Sequence, residues 1–390
     1  MSTADTSLMS VDEAFDRLLG AARVIPEAVA HPLSRARDAI LAESPTARVT
    51  VPPADNSAVD GYALDTRDAD GSPLRISQRI AAGDAPSPLE PATAARIFTG
   101  AVLPEGADAV VMQEKAQLRD GRLTLAEVPQ AGQNIRVAGQ DIRAGDTLLE
   151  KGTRLHPWHL GVLASAGMPE ARTRRPLRVA VVSSGDELVA PGNPLPPGQI
   201  YNSNQTMLET LVGAAGYEAM PFDSVQDTLE ATRDALERAS NTADVIITTG
   251  GVSVGEEDHI RDAIQSLGRL DLWRMAIKPG KPLAFGHIGD TPVIGLPGNP
   301  AAVLVTFLIL ARPFLRRCQG EAGPVIPPAY PVPLGFAVPR PQSRREYQRV
   351  RCHQVAGQQR LETASNQSSG VLSTACWADG LAEIPENETR

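Results

Sequence analysis

The stretch from Ala243 to Asp258, ADVIITTGGVSVGEED, constrains the fold of this 390-residue chain more than any other. Val245 to Thr249 form a β-branched run, which is typical of a strand buried on both faces of a parallel sheet. The glycines that follow allow close approach of the backbone to a ligand, and the acids after them begin a segment with helical spacing. The pattern predicts an anion-binding loop, although an ordinary tight turn between strand and helix explains the same residues.

Composition narrows the class of protein. The net charge is -9 and 42% of the residues are hydrophobic, with no apolar run long enough to cross a bilayer. The first residues carry acids where a signal peptide needs basic and then apolar residues, so we expect a soluble cytoplasmic protein. The acidic balance disfavours general nucleic-acid binding, and three widely spaced cysteines without a CxxC pair disfavour a zinc site.

The pattern of residue types changes several times along the chain. Helical periodicity in Val11–Val24 and again in Ser34–Leu41 predicts two helices, which we expect to be peripheral. Short strands and turns then predict an all-β insert, and a Pro-rich run after Pro324 predicts a linker into a final β domain. The predicted domains are a helical/linker domain (10–45 plus 147–175), an inserted β domain (46–146), an α/β domain (176–325) and a C-terminal β domain (326–390).

Within the α/β region, alternating strands and helices place three successive loops at the carboxyl edge of the predicted sheet, where open parallel sheets bind ligands. These loops contain Gly185, Asp227 and Gly250. Asp227 is also in position to cap the helix that follows it, and Ser203 to cap an earlier helix, so capping is an alternative use of both. The candidate ligand-binding residues of these loops are Ser183, Gly185, Asp186, Glu187, Ser203, Asp227, Gly250, Gly251, Ser253, Gly255 and Asp258.

Lysine is rare in this chain, and its distribution is informative. Only four of the 37 basic residues Lys plus Arg are lysines, and two of these, Lys278 and Lys281, lie three residues apart in KPGKP. The prolines and glycine of this segment favour a rigid bend that aims both ammonium groups at one anion, although a solvated loop is the alternative. A second rigid loop, Pro297-Gly298-Asn299-Pro300, follows the last predicted strand of the sheet and suits a helix start with Pro300 first.

Three blocks of the β insert carry polar residues on turns: NSAVDGYA with Asp60, FTGAVLPEGADAVV with Thr99, and RVAGQDI with Asp141. Each block taken alone is explained by turn formation. Taken in order with SSGDEL, IYNSN, TTGGVSVGEED, KPGKPLAFG and GLPGNPAAV, however, the chain resembles the molybdopterin molybdenumtransferases (MoeA, and the E domain of gephyrin) from about Ser10 to Arg390. Ser184, Gln140 and His259 depart from the family pattern, and Gln140 bears on how Asp141 is charged and oriented.

The resemblance implies an α/β plus β multidomain fold: a doubly wound α/β domain that binds molybdopterin, an inserted β domain, an elongated helical/linker domain and a C-terminal β-barrel-like domain. It also implies insertion of molybdenum from molybdate into adenylylated molybdopterin, with release of AMP. The residues that match the family pattern are Asp60, Thr99, Asp141, Glu187, Asp227, Asp258, Lys278, Lys281, Pro297 and Pro300.

Carboxylates repel molybdate and pyrophosphate, so acids at the same rim imply a divalent cation, and we expect Mg²⁺ held by Glu187, Asp227 and Asp258. The expected partners are a second copy of the chain, which would complete the cleft, a molybdopterin adenylyltransferase, and apo-molybdoenzymes or cofactor carriers. No nucleic acid and no membrane are expected. Two other functions stay open: the adenylyltransferase step itself, and a non-catalytic scaffold like the gephyrin E domain.

Overall fold

The computed structural model of the chain describes residues 8–24, 27–250 and 259–388. Helix α1 spans Val11–Ala21, and Ser10 caps it by accepting a hydrogen bond from the backbone N–H of Glu13 at 3.1 Å. Val11, Phe15 and Leu18 are buried in the same core as the large parallel sheet. The expectation of a peripheral first helix is therefore wrong, because its apolar face packs on the α/β unit.

The segment after α1 is extended. Strand β1, Ala28–Pro32, leads into a short 3₁₀ turn at Leu33–Arg35, and no helix forms over 34–41. Ile40 and Leu41 are buried by bridges to Arg154 and Thr173. The helix predicted for Ser34–Leu41 is therefore wrong, because pairing with a distant part of the chain buries its apolar residues without a helical backbone.

The β insert contains a six-stranded sheet and a separate two-stranded pair. Its strands are β2 Asn56–Ser57, β3 Gly61–Leu64, β4 Leu74–Ile80, β5 Thr93–Ile97, β6 Ala109–Met112, β7 Ala116–Arg119, β8 Arg122–Leu125 and β9 Ile135–Arg136. The order in the large sheet is β6-β3-β5-β4-β8-β7, and 3₁₀ turns lie at Thr66–Asp68 and Gln113–Lys115. Strands β2 and β9 pair with each other, so two of the polar blocks of the sequence are neighbours.

The chain leaves the insert through helix α2, Pro157–Ser165, and strand β10, Glu170–Arg174. Strand β10 pairs antiparallel with β1. Leu41, Leu155 and Leu163 form a small core between them. The segments before and after the insert thus pack together.

The α/β region follows in one continuous run. Its elements are β11 Arg178–Ser183, β12 Leu188–Val189, β13 Ile200–Tyr201, α3 Ser203–Ala214, β14 Glu218–Pro221, α4 Leu229–Thr242, β15 Val245–Thr249, α5 His259–Leu267, β16 Gly268–Arg274, β17 Ile277–Lys278, β18 Pro282–Ile288, β19 Thr291–Leu296, α6 Pro300–Thr306 and α7 Arg312–Cys318. A π-helical turn at Phe307–Ala311 joins α6 to α7.

The main sheet has the order β14-β11-β15-β19-β18-β16, and its first four strands are parallel. Successive residues of each strand face opposite sides. Val181 and Ile247 join the core formed with α1, α3, α6 and α7, whereas Val182 and Ile246 join the core formed with α4 and α5. This is the doubly wound arrangement expected from the sequence. No helix within the described ranges combines the length and the apolar character that a bilayer crossing requires.

The C-terminal region consists of β20 Arg345–Val355, β21 Gln358–Thr363, α8 Ser373–Trp377 and β22 Gly380–Ile384. Strand β20 pairs with β21 and β22 and also, in parallel, with β17 of the α/β region. Arg345 at the start of β20 binds Asp12 of α1 at 2.8 Å through both of its terminal nitrogens. The segment that carries the two lysines is therefore joined directly to the C-terminal sheet.

Candidate active site

Three loops touch at the carboxyl edge of the parallel sheet, after β11, β15 and β19. Gly250 has φ +82°, and a Cβ atom there would lie 3.1 Å from the Ser184 carbonyl oxygen. A Cβ atom on Gly298 would lie 3.7 Å from the Gly250 Cα. The absence of a side chain at Gly250 thus permits both a left-handed backbone conformation and the close approach of the neighbouring loop. The structure brings together the loops that the sequence placed at this edge.

Part of the predicted loop cannot be compared with the structure. Gly251, Ser253, Gly255 and Asp258 lie outside the described residues. Ser183, by contrast, is described and fully buried.

The Ser183 hydroxyl donates to the Gln205 side-chain oxygen at 2.8 Å and lies 3.4 Å from the Thr249 hydroxyl. Its hydroxyl therefore joins β11 to α3 and β15 below the surface of the edge. A structural role accounts for this side chain in the described arrangement.

Carboxylates flank the first of the three loops. The Asp227 Oδ1 accepts a hydrogen bond from the Ser184 hydroxyl at 3.2 Å, and the Asp227 backbone N–H donates to the Asp186 Oδ1 at 3.0 Å. The Glu187 carboxylate folds back over Gly185, where an added Cβ atom would lie 2.5 Å from its Oε2. Asp186 and Glu187 are exposed, and Asp227 is half-buried. These acids form a rim that an approaching ligand meets directly.

The start of α4 decides between the two uses of Asp227. Thr228 is the capping residue, since its hydroxyl accepts from the backbone N–H of Ala231 at 3.3 Å. The capping interpretation of Asp227 is therefore wrong, because this residue lies one position too early and its carboxylate turns toward Ser184.

The start of α3 contributes to the same edge. Asn202 caps the helix by accepting from the Gln205 N–H at 3.1 Å, so Ser203 is the first helical residue and not the cap. The next residue, Asn204, donates its side-chain amide to the Gly298 carbonyl at 2.7 Å. The Asn204 Oδ1 is buried and has no hydrogen-bond partner among the described residues. Asn204 was missed by the sequence reasoning, since asparagine beside a helix start is explained by capping alone.

The Pro297–Pro300 loop turns the chain from β19 into α6. Pro300 is the first helical residue, as predicted, and Asn299 occupies the N-cap position without a capping hydrogen bond from its side chain. Pro297 is buried, whereas Gly298 and Asn299 are exposed. The Ala301 N–H donates to the carbonyl of Ser369 at 2.9 Å. A C-terminal loop therefore covers part of the N-terminus of α6, which carries the partial positive charge of the helix.

The two lysines differ in their surroundings. The Lys278 ammonium lies 2.9 Å from the carboxylate of Glu346, which is 6% exposed. Lys281 is exposed. Between them Gly280 has φ +103°, and a Cβ atom there would lie 2.6 Å from the Thr306 Cγ2 of α6. The bend predicted for this segment is confirmed, but one of the two ammonium groups is engaged by an acid of β20.

A buried arginine, missed by the sequence reasoning, lies on the same strand as Glu346. Arg349 is 1% exposed, and its guanidinium donates to the Thr374 hydroxyl at 2.9 Å and to the carbonyls of Asn366 and Ser368 at 3.3 and 3.2 Å. Its Nη1 has no hydrogen-bond partner in the described part of the chain. Burial lowers the pKa of the guanidinium. The arginines at 345, 349 and 351 alternate in the sequence as they would in a solvated edge strand, so the sequence gives no signal that Arg349 is buried.

Asp60 and Thr99 form a pair on the sheet of the β insert. The backbone N–H and the hydroxyl of Thr99 both donate to the Asp60 Oδ1 at 2.8 Å, and these bonds hold the pKa of Asp60 below its usual value. The guanidinium groups of Arg79 and Arg96 lie 4.5 and 4.6 Å from the Phe98 ring centroid. The structure thus brings two distant blocks together in an exposed, cation-rich patch.

The third block contributes differently. Asp141 is exposed, and its backbone N–H donates to the Val51 carbonyl at 3.1 Å. It is Asp55 whose carboxylate holds this loop, accepting from the Ala138 N–H at 2.7 Å. Asp60, Thr99 and Asp141 therefore lie in the β insert, whereas Glu187, Asp227 and the lysines lie at the α/β sheet or its junction with the C-terminal region.

A magnesium site remains compatible with this rim. Within residues 8–24, 27–250 and 259–388, no three His, Cys, Asp or Glu side chains lie close enough together to hold a metal ion. Mg²⁺ is nevertheless often held by one or two carboxylates together with water and substrate phosphates. The exposed Glu187 and the half-buried Asp227 supply the hard oxygen donors that this ion prefers.

The doubly wound sheet, with its glycine-lined carboxyl edge and its junction to further β units, defines a multidomain α/β protein. Three family models match the chain: "MoeA N-terminal region (domain I and II)" over 9–167, "Probable molybdopterin binding domain" over 180–317 and "MoeA C-terminal region (domain IV)" over 331–390. The chain belongs to the MoeA, or molybdopterin molybdenumtransferase, family.

Individual relatives agree with this assignment. A molybdopterin molybdenumtransferase of Haemophilus influenzae is 40% identical over 81% of this chain and 79% of its own length. One from Nostoc is 37% identical over 90% of this chain and 83% of its own length. Two crystal structures of the MoeA protein of Pyrococcus horikoshii superpose with TM-scores of 0.80 and 0.83 at 31% and 26% identity, covering 98% of this chain and 96% of theirs.

Proposed function

We propose that this chain is a molybdopterin molybdenumtransferase, which inserts molybdenum from molybdate into adenylylated molybdopterin and releases AMP. The observation that carries the proposal is the contact of three loops, at Ser184, Gly250 and Gly298, beside the rim of Asp186, Glu187 and Asp227. Such an edge supports binding of a phosphate-bearing pterin, because glycine loops expose backbone N–H groups at helix N-termini. The four-domain division given by the sequence is part of the same proposal.

Molybdate and the pyrophosphate linkage of the pterin substrate are anions that need positive partners. The exposed Lys281 is the freer of the two lysines to bind molybdate directly. Lys278, which contacts Glu346, is held in position by that acid and supplies a second positive charge. Gly280 allows both to project from one tight bend over α6. In this proposal the Thr99 hydroxyl offers a further donor to an oxyanion.

We propose Glu187, Asp227 and Asp258 as the residues that hold Mg²⁺, and of these Asp258 lies outside the described residues. The ion would neutralise phosphate charge at the rim when it is bound. The Ser184 hydroxyl and the Asp186 carboxylate orient Asp227 through its side chain and its backbone. The protein thus contributes acids that are already positioned before a ligand arrives.

The Asp60–Thr99 pair lies on a different sheet from the rim, so the proposal includes a homodimer in which the β insert of one subunit faces the α/β edge of the other. The enzyme is proposed to work in the cytoplasm. It would receive its substrate from a molybdopterin adenylyltransferase and pass the product to apo-molybdoenzymes or cofactor carriers.

The adenylyltransferase step is a weaker alternative, because the β insert and the C-terminal sheet exceed what an α/β domain alone would need. Incubation with molybdopterin and Mg-ATP separates the two functions, since only an adenylyltransferase would produce adenylylated pterin. A scaffold like the gephyrin E domain would instead bind its partner equally well after Lys278→Gln.

The direct test is a crystal soaked with molybdate, AMP and Mg²⁺, in which the anomalous signal locates molybdenum. We expect the molybdenum peak beside Lys281 and Lys278. A peak elsewhere, with none beside the lysines, would contradict the assignment. The Lys281→Gln variant serves as the control, because it should lose the peak without a change in fold.

A further inference from the structure

A cavity of about 140 Å³ lies at the amino edge of the parallel sheet, the end opposite to the candidate active site. In its wall, Pro176 lies two residues before the parallel strand β11, and Tyr217 lies directly before the parallel strand β14. The opposite wall comes from the segment around β1 and from β10. The cavity therefore lies between the α/β sheet and the segments that flank the β insert.

The charges around this cavity are mostly positive. A single carboxylate, Asp38, lines it together with four guanidinium groups and an imidazole, namely those of Arg35, Arg37, Arg154, Arg174 and His31. The guanidinium of Arg37 binds Asp38 at 3.1 Å. Arg35 is exposed and forms no ion pair with the described residues. Positive charge thus exceeds negative charge at the wall, which favours an anionic ligand.

One lining group is held by hydrogen bonds from behind, and a second is buried. Arg154 donates to the Glu321 carboxylate at 2.8 Å and to the Asp38 carbonyl at 3.1 Å, and Glu321 also binds Arg316. Arg174 is 9% exposed. A site whose cations are already ordered loses less entropy when a ligand binds.

Tyr217 adds a polar group to the wall. The residue is 6% exposed, and its hydroxyl interacts with the Arg154 guanidinium. Burial raises the pKa of this hydroxyl to about 12, so it stays neutral. Because a guanidinium only donates hydrogen bonds, the Tyr217 O–H remains able to donate to an anion in the cavity.

We propose that this cavity binds a small tetrahedral oxyanion, either phosphate or molybdate. Guanidinium groups match the oxygen geometry of such ions and bind two oxygens at once. The volume of about 140 Å³ is sufficient for one such ion together with water. The bound ion connects the flanking segments to the α/β sheet. This site is independent of the catalytic edge and of the function proposed for it.

The test uses the full chain with Lys278→Gln and Lys281→Gln, which removes the cations proposed to bind anions at the other edge. Calorimetric titrations with inorganic phosphate and with sodium molybdate then report the remaining site. Adding Arg35→Gln and Arg37→Gln should weaken binding about tenfold or more, since two charged donors are lost. Both arginines are exposed, so the fold should persist.

The matched control adds Arg119→Gln and Arg122→Gln instead, which removes the same charge from an exposed hairpin of the β insert. Affinity in this control should stay within about twofold, because these arginines lie on the β7–β8 hairpin at the end of the β-insert sheet and do not line the cavity. Tighter binding of one anion identifies it as the ligand. Absence of binding by both anions in the lysine variant, or equal binding after the Arg35 and Arg37 changes, would overturn the proposal.

Discussion

The two edges of the parallel sheet differ in the charged side chains that they carry. At the carboxyl edge the carboxylates of Asp186 and Glu187 are exposed beside the loops, whereas arginines surround the cavity at the amino edge. Helix N-termini lie at the first edge and supply positive dipoles from the backbone. Helix C-termini lie at the second, so positive charge there must come from side chains. The backbone thus supplies positive charge at the first edge, whereas arginine side chains supply it at the second.

The largest expected effect is on catalysis at the carboxyl edge. Glu187→Gln should lower kcat for molybdenum insertion about 100-fold, because an ordered charged group at the reacting centre is lost. The exposed side chain contributes little to the free energy of unfolding, so the urea unfolding midpoint should be unchanged. The matched control is Glu218→Gln, an exposed acid at the amino end of β14. Equal activity of the two variants would contradict the proposal that the carboxyl edge, and not the amino edge, takes part in catalysis.

A second prediction concerns stability at the amino edge. Asp244, before β15, is held by the Arg175 guanidinium at 2.5 and 2.8 Å and by the Arg178 backbone N–H at 2.8 Å. Burial alone would raise the pKa of Asp244, but these hydrogen bonds outweigh it and lower the pKa. Asp244→Asn should reduce the free energy of unfolding by about 2 kcal/mol at neutral pH.

The stability lost in Asp244→Asn should depend on pH, because the pKa of Asp244 is lowered in the folded state. A carboxyl whose pKa is lower in the folded state contributes stability above its unfolded pKa and loses it as the pH falls through the folded pKa. Urea titrations of Asp244→Asn and of the parent chain should therefore converge in acid. Asp290→Asn is the control, since the Asp290 side chain is fully exposed and 3.6 Å from Arg23, and solvent screening should leave the unfolding midpoint of this variant unchanged. A constant difference at every pH would contradict the role of Asp244.

The smallest effect compares one glycine from each edge. Gly250 and Gly216 both have positive φ, +82° and +87°, but an added Cβ atom meets the Ser184 carbonyl only at Gly250. Gly216→Ala should cost about 1 kcal/mol for the backbone alone, and Gly250→Ala about 2 kcal/mol. Chemical denaturation measures both values. Equal losses would mean that the loops at the carboxyl edge are not closely packed.

Local sequence patterns predicted much of the sheet and part of its edge. The β-branched run Val245–Thr249 is strand β15, and Pro300 opens α6 after Asn299. Glycines at 250 and 280 adopt the positive φ that the loops require. These predictions hold because chain geometry within a few residues decides them.

The failures have a common cause in pairing between distant segments. The apolar residues of 34–41 are buried against Arg154 and Thr173, so helical spacing gave the wrong element. The apolar face of α1 fits a core that includes helices three hundred residues later, which no local pattern reveals. Arg349 and the amino-edge cavity were missed for the same reason. Arg349 is held by a residue outside its own strand, Thr374, and the cavity is lined by segments that are far apart in the sequence.

The sequence by itself determined which loops reach the carboxyl edge, because strand order and glycine positions follow from local periodicity. Only the tertiary structure decided which side chains there are available. Ser183 is engaged by Gln205, and Lys278 by Glu346 from another sheet, whereas Glu187 and Lys281 remain exposed. The reason is physical: a polar group's chemistry depends on its hydrogen-bond partner, and the partner is set by packing between segments that the sequence does not place together.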